Sequence, residues 1–147
     1  MGLNIKTTTK LKSSAEIAKR LGIDKDGDVQ RFFRDDCDRY MDSYIPMDSG
    51  SLKNTKSYPD NCSIVYTVPY AHYMYKGVMY ISPKLGVSGI MLKSGRWWSP
   101  KGETKVPSGK SLSYSGAPKR GKEWDKRMKA DRMNDIISDV ENYIKRK

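Results

Sequence analysis

Residues 28–46 read DVQRFFRDDCDRYMDSYIP, and their spacing decides the fold. Val29, Phe32, Phe33, Cys37, Tyr40, Met41 and Tyr44 recur every three or four positions, the period that lines one face of an α-helix. Asp28 stands where an N-cap belongs, its short carboxylate suited to the free N–H groups of a first turn. Pro46 closes the helix, because it has no N–H to donate and disfavours helical geometry in the residue before it. A helix with so marked an apolar stripe needs a partner surface on that side.

Toward the N-terminus, Ser13 and Glu16 form a capping-box pair that opens a short helix through Ile17, Ala18 and Leu21, and Gly22 stops it. Before it, residues 3–12 (LNIKTTTKLK) alternate loosely and suit a short edge strand with lysines on its exposed side. Toward the C-terminus, a turn at Asp48, Ser49 and Gly50 and one polar turn through Leu52 lead to CSIVYTV, Cys62 to Val68. That run is β-branched and aromatic and bounded by Pro59 and Pro69, so it reads as a central strand. VPYAHYMYKG (Val68 to Gly77) reads as a short helical turn that exposes aromatics, and VMYI (Val78 to Ile81) as another strand.

Residues 82–122 have no sustained period and are rich in Gly, Ser, Pro and Lys, with IML (Ile90 to Leu92) and RWW (Arg96 to Trp98) as apolar knots. Such a stretch suits an arm, a hairpin, or a segment that orders against a partner. The last element, from about Lys122 to Lys145, is a helix that turns Trp124, Met128, Ile136, Ile137, Val140 and Ile144 inward, with a slip of the stripe between Met128 and Met133. Lys145, Arg146 and Lys147 lie where positive charge offsets the negative end of that helix. The expectation is one α+β domain over residues 1–147: a small antiparallel sheet packed against a long helix in the N-terminal half and a C-terminal helix, with 82–122 as a basic arm or hairpin loop.

At 147 residues, 37% hydrophobic and 31% charged, the chain carries a smaller core than the roughly 45–50% apolar content of an average globular domain provides. No stretch approaches the roughly 20 apolar residues of a membrane span, and the first residues, MGLNIKTTTKLKSS, lack the apolar region of a signal peptide. The protein is therefore expected to be made in a cytoplasm and to have no membrane partner. Cys37 and Cys62, without CxxC spacing, read as small apolar core residues. The net charge of +11 is local: residues 1–81 hold 12 Lys+Arg against 10 Asp+Glu, whereas residues 82–122 hold nine against the single Glu103.

Little in the sequence points to catalysis. His72 is the one histidine, and only the distant Cys37 and Cys62 could join it on a metal. No G-x-S-x-G is present. SGKS (Ser108 to Ser111) lacks the earlier glycine of a phosphate loop, where Thr104 stands, and no apolar helix follows. DKDGD (Asp24 to Asp28) has its glycine at the fourth rather than the sixth position of a calcium loop. Asn61-Cys62-Ser63 is a formal glycosylation sequon without meaning in an unsecreted protein. Asp35, Asp36, Asp38 and Asp42 alternate with Arg31, Arg34 and Arg39, the pattern of a solvated or interfacial helix face. The chain is expected to be no enzyme and to hold no metal or cofactor.

Three strings carry a resemblance: IPMDSGSLKNT (Ile45 to Thr55), VPYAHYMYKG (Val68 to Gly77) and GAPKRGKEWDKRM (Gly116 to Met128). In their order and spacing they resemble the minor capsid or tail-completion proteins of tailed phages, especially those infecting Gram-positive bacteria. The resemblance runs from about Gly22 to the end and rests on no catalytic signature. It implies an α+β structural virion protein at the head–tail junction, assembled with copies of itself into a ring, a hexamer, between a portal-side adaptor or stopper and the tail terminator or tube.

The residues suit that role. Exposed aromatics and a knotted arm fit a subunit that completes its burial on assembly. The expected interface residues are Tyr70, His72, Tyr73, Tyr75, Trp97 and Trp98, with Tyr80 beside them. Lys84, Lys93, Arg96, Lys101, Lys105, Lys110, Lys119, Arg120 and Lys122 are candidates to contact DNA in the lumen or acidic surfaces of neighbouring proteins. The alternative is a sequence-independent nucleic-acid-binding protein, in which Trp97 or Trp98 stacks on bases.

Overall fold

The computed structural model describes residues 13–47, 49–116 and 118–147, and it is an α+β fold. The strand expected over residues 3–12 and the turn residue Asp48 lie outside the described residues. Helix α1 (Ser14–Leu21) has the expected capping box, with the Ser13 side chain accepting from the Glu16 N–H, and it ends on Gly22 in the left-handed region. Helix α2 (Asp28–Met41) ends at Met41, short of Pro46, and its N-cap falls one residue earlier than expected, at Gly27 and not Asp28. The cause is close backbone approach, since a Cβ on Gly27 would lie 2.0 Å from the Gly22 carbonyl oxygen. That same oxygen accepts from the Val29 and Gln30 N–H groups at 3.0 and 3.2 Å, satisfying a first turn that has no side-chain cap.

After the short helix α3 (Ser51–Asn54) come strands β1 (Lys56–Ser57) and β2 (Val65–Tyr66), then helix α4 (Ala71–Lys76) closed by Gly77 at φ 71°, and strand β3 (Val78–Ile81). The hairpin strands β4 (Ile90–Met91) and β5 (Trp97–Trp98), strand β6 (Val106–Ser111) and the long helix α5 (Trp124–Lys145) follow. Among the described residues the strands form three two-stranded antiparallel ribbons, β1–β2, β3–β6 and β4–β5, in place of one sheet. Of the strand expected at Cys62–Val68, Val65 and Tyr66 alone pair with another described strand, on one side, with Ser57 and Lys56. Ile64, Tyr66 and Val68 face inward while Val65 and Thr67 are exposed, the alternation of a ribbon with one wet face.

The core lies where α2, α4 and α5 meet: Met41, Tyr44, Ile45, Leu52, Ala71, Trp124, Met128 and Ile136 form one buried cluster. Helices α2 and α5 run antiparallel and are laced by tyrosine–carboxylate bonds. Tyr40 donates to Asp139 at 2.9 Å, Tyr44 to Asp131 at 2.9 Å and Tyr143 to Asp28 at 3.0 Å, and Phe32 stacks on Tyr143 at 4.3 Å. The α5 stripe differs from expectation. Ile137 and Ile144 are exposed at 49% and 38%, while Trp124, Met128, Ile136 and Val140 keep one i+4 row toward the core, with Arg132 in that row and its guanidinium 5.9 Å from the Tyr40 ring. Phe33 likewise sits at the edge of its stripe, 38% exposed. Cys37 packs against the core as expected, whereas Cys62 is exposed, on the wet approach to β2.

Candidate assembly surface

The arm is built from two ribbons of different character. At its base, β6 pairs with β3 through a bulge, Val78 opposite Ser111 but Tyr80 opposite Pro107. A two-stranded ribbon leaves its outer side unpaired, so Pro107 costs no ladder bond there, and Gly109 supplies the positive φ (74°) the irregularity needs. Ser82, fully buried, donates its hydroxyl to Glu103 at 2.5 Å and accepts from the Leu85 N–H at 3.1 Å. The one acidic residue of the arm thus closes the loop at its root.

Beyond that root the β4–β5 hairpin projects. Its turn is Leu92–Gly95, with the Gly95 N–H donating to the Leu92 carbonyl at 2.9 Å and Gly95 at φ 76°. Ile90 pairs with Trp98 and Met91 with Trp97. Cross-strand partners share a face and successive residues alternate, so one face carries Ile90 and Trp98 and the other Met91 and Trp97. All four are exposed, Trp97 at 58% and Met91 at 61%. The ribbon is apolar on both faces and covered on neither.

The nine basic residues of residues 82–122 separate into two groups. Lys84, Lys93, Arg96, Lys101 and Lys110 are exposed, and among the described residues their side chains have no hydrogen-bond or ion-pair partner. Of the other four, Lys105 ties two parts of the arm to each other, and Lys119, Arg120 and Lys122 touch the body. Lys105 donates to the Ser88 carbonyl at 2.6 Å; Arg120 donates to the Asp42 carbonyl at 2.9 Å and to that of Ile45; Lys119 lies 5.6 Å from the centre of the Tyr44 ring; and the Lys122 stem lies over Gly77. Arg120 in particular sits half-buried against the end of α2, where free carbonyls need donors, and so is no free contact for DNA.

The aromatic segment is also divided. Tyr70, His72 and Tyr73 are exposed, and Tyr73 packs on Tyr80 at 4.7 Å. A groove of about 220 Å³ lined by Tyr70, Tyr73, Tyr80, Ser88, Lys105 and Leu112 joins α4 to the base of the arm. A second of about 420 Å³, lined by Met79, Gly89, Trp97 and Lys110 among others, continues along the arm. Tyr75 points the other way, edge-on to Trp124 at 5.0 Å with its hydroxyl on Asp125 at 2.8 Å, so it lies at the rim of the core and not with the arm-side aromatics. What sequence reasoning missed are Met91, Leu92 and Val87, each more than two-fifths exposed beside the tryptophans.

The acidic residues of α2 are engaged in pairs: Asp35 with Arg34, Asp36 with Arg39, Asp38 with Lys56, Asp42 with Lys53. Among the described residues no group of three or more His, Cys, Asp or Glu side chains could hold a metal ion, and no helix is long and apolar enough to cross a membrane. Comparison with protein-family models, with curated proteins and with solved structures gives no match.

Proposed function

We propose that this protein is a structural subunit of the head–tail connection of a tailed phage, a minor capsid or tail-completion protein that assembles with copies of itself into a ring. The observation that carries the reading is the β4–β5 hairpin, whose two tryptophans lie on opposite faces and are both exposed. An apolar patch of that kind is costly in a protein that works alone and is ordinary at a protein–protein interface. A ribbon with two apolar faces wedges between surfaces, which suits the heterologous contacts of a ring better than a flat patch does. The five projecting cations then face either the DNA that passes the lumen or acidic neighbours.

A second reading, a sequence-independent nucleic-acid binder, draws on the same hairpin, where Lys93 and Arg96 lie beside Trp97. Light scattering and negative-stain microscopy of the full chain, with and without candidate neck proteins, separate the two. Rings, or a monomer that enters rings only with those partners, are expected. A monomer that ignores them and binds DNA tightly at low salt overturns the first reading in favour of the second.

A further inference from the structure

A cleft of about 460 Å³ opens at the edge of the core, lined chiefly by Ile64, Tyr66, His72, Tyr75, Trp124 and Asp125. Its walls are aromatic: Tyr66 and Tyr75 stand edge-on to Trp124, at 5.3 and 5.0 Å. Its one carboxylate is Asp125, exposed in the first turn of α5, with Oδ1 accepting from Tyr75. Burial, and after it the charges of Asp38 and Asp125, raise the Tyr66 phenol above its ordinary value, and the nearby Trp124 indole offsets this only in part without reaching hydrogen-bond geometry. The site is held under backbone tension, since Glu123, the residue before Trp124, adopts φ 48°, a left-handed conformation that costs a non-glycine residue on the order of 1–2 kcal/mol. The Glu123 N–H is anchored on the Tyr75 carbonyl at 3.1 Å, which sets Trp124 and Asp125 against Tyr75.

An aromatic cleft with a carboxylate at its rim selects a cation carried on an apolar stem, through charge pairing and the faces of the rings. Among the described residues of one chain nothing fills the cleft. The hairpin turn Leu92–Arg96 offers the matching chemistry, with Lys93 and Arg96 unpartnered among the described residues and flanked by exposed Leu92 and Trp97. We infer that the cleft beneath Tyr66, Tyr75 and Trp124 receives the cationic hairpin tip, Lys93 to Arg96, of a second copy of the chain. The cleft and the tip are the two complementary patches of one heterologous contact, an inference that rests on the self-assembly proposed above.

The test uses the full-length chain in sedimentation velocity, with the neck partners present if the wild type needs them to assemble. Arg96→Glu and Asp125→Lys each weaken association by about tenfold or more, the scale of one charge-assisted contact. A one-to-one mixture of those two variants recovers it, because the reversed tip then meets a reversed cleft. Asp125→Asn keeps an acceptor for the Tyr75 hydroxyl and reproduces the weakening without disturbing the fold. Lys129→Glu, the same change of charge at an exposed site elsewhere on α5, leaves association within about twofold. Assemblies that ignore Arg96→Glu and Asp125→Asn overturn the cleft and leave the ring standing. A wild-type chain that stays monomeric at every concentration, alone and with partners, removes both.

Discussion

The Arg120 guanidinium donates to the main-chain carbonyl of Asp42 at 2.9 Å, across 78 residues of sequence, and the same nitrogen reaches the carbonyl of Ile45. One side chain of the basic arm thus closes the end of α2, where the last carbonyls of a helix have no partner of their own. Arg120→Met leaves a wholly buried Ile45 with an unpaired carbonyl and is expected to lower stability by about 2–3 kcal/mol. Lys119→Ala, next door and exposed, is expected to change it by no more than about 0.5 kcal/mol. Urea titration of both variants checks this.

Adjacent isoleucines on α5 make the second prediction. Ile136 is 1% exposed in the core and Ile137 49% exposed beside it. Ile136→Ala is expected to cost about 2–5 kcal/mol through lost burial and the cavity left behind, and Ile137→Ala less than about 1 kcal/mol. Equal losses would mean that the helix is rotated from the orientation described.

The two thiols are expected to react at very different rates. Burial, followed by the charges of Asp36 and Asp38, pushes the Cys37 thiol up to about 11, so at neutral pH almost none of it is thiolate. Cys62 is exposed. Alkylation of the native chain followed by mass spectrometry is expected to mark Cys62 alone, with Cys37 labelled only after unfolding.

Acid weakens the tie between the two long helices. Hydrogen bonds from the Lys147 ammonium and then the Tyr143 hydroxyl hold the Asp28 carboxyl below its ordinary value of 3.8. Because the folded value lies under the unfolded one, this contribution is complete above the unfolded pKa and is lost as pH falls through the folded one. Asp60, through the Cys62 N–H, and Glu123, through Lys126, are lowered and act in the same direction. The thermal midpoint is expected to fall between about pH 5 and about pH 3, and to fall less steeply in Asp28→Asn.

The hairpin tryptophans contribute little to the isolated fold. Trp97→Ser with Trp98→Ser is expected to lower monomer stability by no more than about 1–2 kcal/mol, since about half of each ring is exposed. In the assembly reading proposed above, the same pair of changes abolishes association, measured by light scattering at matched concentration.

Signals carried within a few residues were legible in advance. The Ser13–Glu16 box, Gly22, the Gly77 stop and the presence of α2 and α5 all rest on local chemistry and appear where the residues place them, although α2 is capped by Gly27 and ends at Met41. Strand β6 was not, because Pro107 and Gly109 read as breakers and become strand only through pairing with β3 and a bulge. The run through Val65 looked more deeply buried than it is, since β-branched composition does not reveal how many neighbours a strand has. The slip expected in α5 after Met128 is not there: Arg132, facing Tyr40, fills the polar step of an unbroken i+4 row from Trp124 to Val140. At the surface, exposed aromatics could be named from the sequence. Lys101 and Arg120 could not be told apart, because only the folded chain shows which cation meets a carbonyl.

The pairing of α2 with α5 also governs when this protein can fold during its synthesis. Trp124, Met128 and Ile136 supply three of the eight buried residues of the core, and all three belong to the final helix. While the ribosome is still making the arm, α2 presents Met41, Tyr44 and Ile45 with nothing to cover them. The contact that resolves this bridges 87 residues from Tyr44 to Asp131, a late and entropically costly closure. Local turns and the capped helix α1 can form as they emerge. The cooperative step waits for α5, so a nascent chain stalled within the arm is expected to be a ready substrate for chaperones and proteases.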